Sequence, residues 1–264
     1  MPRKRIPPPL GRDGRPISKS AAKLRLLKTL KCTTKFEKLA YTAGATLVAG
    51  VDEVGRGSLF GPVVAGAVIL DRADRIRGLR DSKLLSAERR ETLAARIRER
   101  AIAWAVAAVD AARIDQINIY HASRLAMVQA LELLLPAPDY LLVDALTIDW
   151  PSAEARCSQN RIIHGDALSA SIAAASIVAK VERDRMVAQW DPVFPVYRLA
   201  SNKGYYTPAH ARSLREHGPS PLHRQSFAPV WMAAAPQEVL AFMLEESKER
   251  ESTVEIPAFA TNDQ

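Results

Sequence analysis

Three acidic sites of this chain each stand at an apolar-to-turn boundary: Asp52-Glu53 after LVAGV, Asp144 after YLLV and Asp166 after RIIHG. Short apolar runs bounded by turn residues read as buried strands. A carboxylate at the end of such a strand carries a desolvation cost unless it is paired or holds a cation. No fixed Lys or Arg partner stands out for any of them, and Lys83 has only proximity in the chain to recommend it. The expectation is that the strand ends gather around one charged pocket. Gathered together, the four carboxylates carry a charge of −4, which two divalent cations would neutralise, and all-oxygen ligation favours Mg2+ or Mn2+ over zinc. Two such ions, about 4 Å apart, suit in-line displacement at a phosphodiester.

The plainer reading of one Asp at a strand end is a turn former or helix cap, and it is the coincidence of three sites that favours chemistry. Adjacent Asp52 and Glu53 should point to opposite faces, so the strand is expected to end or bulge there, helped by Gly55. Asp184 competes with Asp166, but 18 residues of continuous helix would separate them by about 27 Å. Asp166 is preferred, and Asp184 is assigned to a charged helical face.

The surrounding elements read as follows. The strand opening at Thr46 and PVVAGAVIL (62–70) form a hairpin across a Gly-rich turn. Residues 86–100 form an amphipathic helix with Leu93 and Ile97 four apart, and 104–109 a third strand. A helix capped by Asp115 runs to about Leu135, stopped by Pro136, and residues 140–143 form a buried strand. Residues 161–163 make a further short strand, and Gly165-Asp166 opens a long helix extending to Trp190, with Asp166 near its N-cap. Thr207, Pro208 and Gly218 take the N-cap, N1 and C′ positions of another helix. A last helix spans 236–249. Strand and helix alternation after a hairpin implies an α/β domain with a mixed sheet flanked by helices and added C-terminal helices.

Residues 1–40 hold 12 Lys/Arg against Asp13 and Glu37, a net charge of +10, and the remainder is net −2. Residues 1–45 therefore read as a basic N-terminal extension, disordered to about Ser20 and then one or two short helices, ahead of a catalytic domain at 46–249 and a flexible tail at 250–264. Such an arm suits either a polyanion such as nucleic acid or mere solubility. The longest wholly apolar run, residues 101–109, is nine residues, against roughly 20 for a membrane span. The N-terminus meets Pro7, Pro8 and Pro9 without an apolar core, so no export signal is expected. Cys32 and Cys157 have no metal or redox spacing, which fits a reducing cytoplasm.

Gly55-Arg56-Gly57 directly follows the acidic pair. Glycines let backbone amides approach a sugar-phosphate, although a turn needing φ > 0 would look the same, and no GK[ST] follows that would make a P-loop. Lys203 and Tyr205 lie in NKGYYT, a loop with a cation and aromatics suited to stacking beside phosphate contacts; the plain alternative is a buried Tyr. His210, His217 and His223 are weaker candidates, because metal-activated water needs no histidine.

GVDEVGRGSLFGPVVAGAVIL, YLLVDAL, HGDALSASIAAASIVAKVERD, NKGYYTPAH and HRQSF, in this order over residues 50–227, together resemble bacterial ribonuclease HII. The resemblance implies a ribonuclease H-like fold with Asp52, Glu53, Asp144 and Asp166 as the metal-binding catalytic carboxylates. It implies endonucleolytic cleavage of the RNA strand of RNA–DNA hybrids. It also implies incision 5′ of single ribonucleotides in duplex DNA, leaving 5′-phosphate and 3′-hydroxyl ends. Gly55, Arg56 and Gly57 would surround the ribose 2′-hydroxyl, and Tyr205 would pack on the neighbouring deoxyribose; Tyr206 departs from a position that is commonly small. Ribonuclease HIII, which carries a strand-rich N-terminal domain, fits residues 1–45 poorly. The basic arm lies outside the family pattern and is taken as a nonspecific duplex tether. A monomer is expected; a sliding-clamp partner is compatible but unmarked in the sequence. The competing readings are a junction resolvase on the same fold, needing no 2′-hydroxyl pocket, and a non-catalytic binding protein, disfavoured by the presence of all four carboxylates.

Overall fold

The computed structural model describes residues 18–149 and 157–235; the helix expected at 236–249 and the tail lie outside the described residues. Five strands, β1 (Val48–Val54), β2 (Val63–Leu70), β3 (Ala101–Val109), β4 (Tyr140–Asp144) and β5 (Ser158–Ile162), form one sheet in the order β3-β2-β1-β4-β5. β1, β2 and β3 pair antiparallel, whereas β1 with β4 and β4 with β5 pair parallel. This is the expected mixed sheet.

Two layers of helix cover it. Helix α4 (Ala111–Glu132) lays Ile114, Ala122, Ala126 and Met127 against Ala49, Val51, Ala65 and Ala67 on one face. On the other face lie α6 (Ala170–Ala188) and α3 (Ala87–Arg100), packed through Ala173, Ala174, Ile177, Leu93 and Ile97. Glycine governs how close α6 comes. A Cβ on Gly50 would sit 2.0 Å from the Ser171 carbonyl carbon, and one on Gly66 would sit 2.5 Å from the Ala175 oxygen. The small residues of α6 thus rest directly on the β1–β2 backbone, Ser171 over Gly50 and Ala175 one turn later over Gly66.

The remaining helices are α1 (Lys19–Thr29), α2 (Lys35–Thr42), α5 (Gly165–Leu168), α7 (Leu199–Asn202), α8 (Pro208–His217) and α9 (Ala228–Ala234). Helices α8 and α9 close a separate apolar cluster of Leu59, Phe60, Val187, Tyr197, Leu214 and Val230. Helix α8 starts and stops as its sequence predicts: the Thr207 hydroxyl accepts from the His210 amide at 3.1 Å, and Gly218 takes φ 70°.

Several boundaries differ from expectation. Asp110, not Asp115, caps α4, accepting from the Arg113 amide at 2.7 Å. Asn118, at φ 61°, then restarts the helix by accepting from the Tyr120 and His121 amides. Asp115 instead accepts from the backbone amides of Gln225 and Ser226 and from the Ser226 hydroxyl, a long-range tie invisible to local pattern. The long helix from Gly165 is broken: Ser169 is extended (φ −106°, ψ 133°) and caps α6, so Asp166 lies as expected close to an N-cap, that of the one-turn α5 at His164, but not on α6. β1 continues in unbroken register through Val54, so no bulge separates Asp52 from Glu53.

Candidate active site

β1 and β4 run parallel with Val51 opposite Val143, so Asp52 and Asp144 leave the sheet side by side. Asp52 pairs with Gly66 in the β1–β2 ladder and thus shares the α6-covered face, whereas Glu53 pairs with Ala65, whose neighbours pack on α4. After β5 the chain turns through His164 at φ 59° into α5, and the Gly165 amide donates to Asp144 Oδ1 at 2.7 Å. Carboxylate oxygens of Asp52, Asp144 and Asp166 then lie within 4.8 Å of one another. Asp184 is elsewhere, ion-paired with Lys180 at 2.7 Å.

Such crowding shows in the proton affinities. Burial, then the charges of Asp144, Glu53 and Asp166, raise the Asp52 pKa well above the usual carboxylate range. Asp144 is raised by burial and by Asp166, although the Gly165 amide opposes the shift. Glu53 stands outside the trio, with Arg56 Nη1 at 3.1 Å from its Oε1. Its pKa is pushed up to about 7 by burial, with Arg56 lowering and Asp144 raising it. Its other oxygen, Oε2, is buried without a hydrogen-bond partner. An all-carboxylate donor set that is costly to charge, beside an unsatisfied buried oxygen, fits hard divalent cations.

Two cations that the sequence did not pair with these carboxylates are beside them. Lys83 Nζ lies 3.0 Å from Asp166 Oδ2 and 3.6 Å from Asp81 Oδ1, with its side chain 62% exposed. Partial desolvation of the amine works against its charge, but Asp166, Asp52 and Asp81 outweigh it and raise its pKa. Arg56 is the second, through Glu53. Lys83 is brought in by a 3-10 turn at Ser82–Leu84, N-capped by the Asp81 side chain. The signal that could have found it is the D-S-K run, in which Asp81 caps and thereby orients the lysine.

The Gly55–Gly57 turn and the Lys203–Tyr205 loop meet at a buried arginine. Arg183 of α6, fully buried, donates to Ser58 Oγ (2.6 Å) and to the carbonyls of Phe60 (3.2 Å), Pro62 (3.1 Å) and Lys203 (3.1 Å). Arg224, also fully buried, donates to the carbonyls of Gly61 and Arg56 at 3.0 Å each. Ser58 forms a β-bridge with Tyr205, which draws the Gly55–Arg56–Gly57 turn against the Lys203–Tyr205 loop. Tyr205 is half-buried with Arg183 and Lys180 about its ring at 5.1 and 5.2 Å, whereas Tyr206 is 58% exposed. Gly55 has a structural reason to be glycine: φ is +94° and a Cβ would lie 2.1 Å from Arg183 Nε. Gly57 has none, since a Cβ there would meet nothing within 4 Å.

His210 and His223 form a buried pair, Nε2 to Nε2 at 3.0 Å, with His210 Nδ1 on the Tyr205 carbonyl. The Ser220 amide donates to His223 Nδ1, so His223 donates from Nε2 to His210, which donates from Nδ1 to Tyr205. They support a loop and do not face the carboxylates. His217 is the exposed last residue of α8.

Comparison with known proteins agrees with this geometry. The family model for ribonuclease HII matches residues 49–230. A ribonuclease HII from Koribacter versatilis (strain Ellin345) is 67% identical over 247 residues, covering 94% of this chain and 95% of that protein. One from Solibacter usitatus (strain Ellin6076) is 56% identical over 200 residues, 76% of this chain and 86% of that protein. The crystal structure of ribonuclease H2 from Pyrococcus horikoshii OT3 superposes with a TM-score of 0.62 at 26% identity, covering 72% of this chain and 97% of that one. The mixed sheet that sets buried carboxylates at its strand ends is therefore a ribonuclease H fold, and this chain belongs to the ribonuclease HII family, divalent-metal-dependent endonucleases (EC 3.1.26.4) acting on RNA–DNA hybrids.

Proposed function

We propose that this enzyme, besides cutting the RNA strand of hybrids, incises 5′ of single ribonucleotides embedded in duplex DNA and leaves 5′-phosphate and 3′-hydroxyl ends. The observation that carries the reading is a glycine with open space over it, Gly57, in the turn that follows β1, the strand bearing Asp52 of the three gathered carboxylates. A ribose can approach the backbone there, and a site that hydrogen-bonds the 2′-hydroxyl rejects the deoxyribose lacking it.

Asp52, Asp144 and Asp166, with Glu53 at the edge, would hold a pair of divalent cations, Mn2+ or Mg2+. Bound there, the pair supplies Lewis acidity to the scissile phosphodiester and makes water a nucleophile at neutral pH. The carboxylates' role is to present oxygen donors in a buried, preset cluster whose mutual repulsion a cation relieves. Gly165 orients Asp144 through its amide. Lys83 and Arg56 hold positive charge at the rim, which lets an anionic backbone approach an acidic centre. Gly55, Arg56 and Gly57 take the ribose 2′-hydroxyl side; Tyr205, bridged to Ser58, packs on the adjoining sugar; Lys203 faces the backbone phosphates.

Residues 46–249 act as the catalytic domain, onto which Thr33, Glu37 and Ala40 of the N-terminal extension pack; the basic residues of 1–45 add positive charge that tethers the duplex, with 250–264 as a tail. A cytoplasmic setting accompanies this reading; among the described residues no helix is long and apolar enough to cross a membrane. The deciding assay incubates the enzyme with Mn2+ or Mg2+ and a DNA duplex holding one ribonucleotide, beside an all-DNA control. Incision at the ribonucleotide alone, lost in Asp52→Asn with the fold intact, is expected. Cutting of the all-DNA duplex would favour a resolvase-like enzyme instead. For the tether, deletion of residues 1–17, which carry five Arg/Lys against Asp13, should flatten the log–log salt dependence of binding, each lost phosphate contact removing about 0.9 from the slope. An unchanged slope rejects the tether.

A further inference from the structure

Glu37, on α2, is 4% exposed and takes no part in the chemistry above. Its Oε1 accepts from the Ser169 hydroxyl (2.6 Å), the Ser171 amide (2.9 Å) and the Ser171 hydroxyl (2.5 Å). These donors sit at the first turn of α6, where backbone amides lack partners within the helix and a negative charge is favourable. Four residues earlier, Thr33 bridges to Ser169: its amide donates to the Leu168 carbonyl and its carbonyl accepts from the Ala170 amide, both at 3.0 Å. Each residue from Leu168 to Ser171 is thus bonded to segment 33–37.

That stretch is the joint where α5 breaks from α6 at the extended Ser169, and Asp166 lies in α5 just before it. A one-turn helix has little stability of its own, so its orientation depends on what grips its ends. The remaining members of the carboxylate trio, Asp52 and Asp144, stand on sheet strands and need no such grip. We propose that Glu37, with Thr33, is a positioning residue for Asp166: the segment ahead of the family-matched region locks the α5–α6 joint, keeping the Asp166 carboxylate within ligating reach of Asp52 and Asp144. This rests on the assignment of Asp166 as a metal ligand.

The test uses the full chain with Glu37→Ala, Glu37→Gln and, as a control on the same helix, Ala40→Gly, which loosens α2 without touching the Glu37 bonds. Hydrogen exchange of residues 165–171 in metal-free protein, Mn2+ affinity by calorimetry, and kcat and KM on an RNA–DNA hybrid are measured. Glu37→Ala should speed exchange at the joint, weaken Mn2+ binding about tenfold and lower kcat with KM unchanged. Glu37→Gln, whose amide oxygen still accepts from both serines, should recover most of the loss, and Ala40→Gly should lower thermal stability alone. Unchanged Mn2+ affinity and joint exchange in Glu37→Ala overturn the proposal. Should that variant not fold, Ser171→Ala, which removes one donor, must shift Mn2+ affinity in the same direction, and no shift overturns it equally. Asp166→Asn separates the two claims: if Mn2+ affinity survives that change, the ligand assignment is at fault; if it falls while Glu37→Ala leaves it intact, the positioning role is.

Discussion

Replacing Arg183 by lysine keeps the charge and removes the fork, and the structure sets the size of the loss. The guanidinium reaches Ser58 Oγ and three carbonyls, on Phe60, Pro62 and Lys203, with no exposure to solvent. An ammonium donates from a single point and cannot span acceptors on two loops at once. Two of the four hydrogen bonds lost, at roughly 1.5 kcal/mol each for a charged donor, gives about 3 kcal/mol of stability. The released acceptors include the Lys203 carbonyl, so the loop bearing Tyr205 loosens against the Gly55–Arg56–Gly57 turn, while the carboxylates, anchored on β1, β4 and α5, stay put. Urea unfolding should therefore show a drop of about 3 kcal/mol. KM for a duplex with one ribonucleotide should rise several-fold, and Mn2+ affinity should hold. A stability change below about 1 kcal/mol, or a collapse of kcat at constant KM, would refute the idea that this arginine joins the Gly55–Gly57 turn to the Lys203–Tyr205 loop.

Further expectations concern glycine, pH and metal. Gly57→Ala should leave the melting temperature unchanged, because its Cβ meets open space, yet cut ribonucleotide incision at least tenfold; Gly55→Ala should destabilise by about 2–4 kcal/mol, since φ is +94° and Arg183 is in the way. Thermal unfolding beside cleavage rates distinguishes the two. Burial and the neighbouring His210 lower the His223 pKa from 6.5 to about 3. The unfolded chain thus binds a proton that the folded one refuses, and this stability, complete above pH 6.5, is lost on acidification at about 1.4 kcal/mol per pH unit. Acid-unfolding curves should be shallower for His223→Asn, and identical slopes would count against it. Glu53 shifts the other way: with a folded pKa of about 7 against 4.5, the metal-free protein loses about 3 kcal/mol as pH rises through that window. Calorimetry with chelator should find Glu53→Gln free of that loss, and added Mn2+ should raise the melting temperature more at pH 8 than at pH 5.5.

Part of this site could be read without coordinates. Asp52, Asp144 and Asp166 are legible because each closes an apolar run, and the expense of burying a carboxylate implies company. The caps of α8 are legible because Thr207, Pro208 and Gly218 act on their own neighbours. The cap of α4 is not legible for the converse reason: Asp110 and Asn118 offer the same local chemistry as Asp115, which is committed to Gln225 and Ser226, far along the chain. Arg183, Arg224 and Glu37 escape a reading of the sequence, and Lys83 shows there only its proximity in the chain, because each works on a partner from another element.

Local pattern determined which segments become strands and helices, which faces they bury and that acidic groups stand at strand ends, since periodicity and capping are properties of neighbouring residues. Only the tertiary structure decided that three carboxylates meet, that Glu53 stands aside with Arg56, and that Lys83 and Glu37 flank Asp166 before and behind. Those distances follow from how closely α6 settles on the glycines of β1 and β2, a matter of packing between remote segments on which no short stretch of the chain carries information.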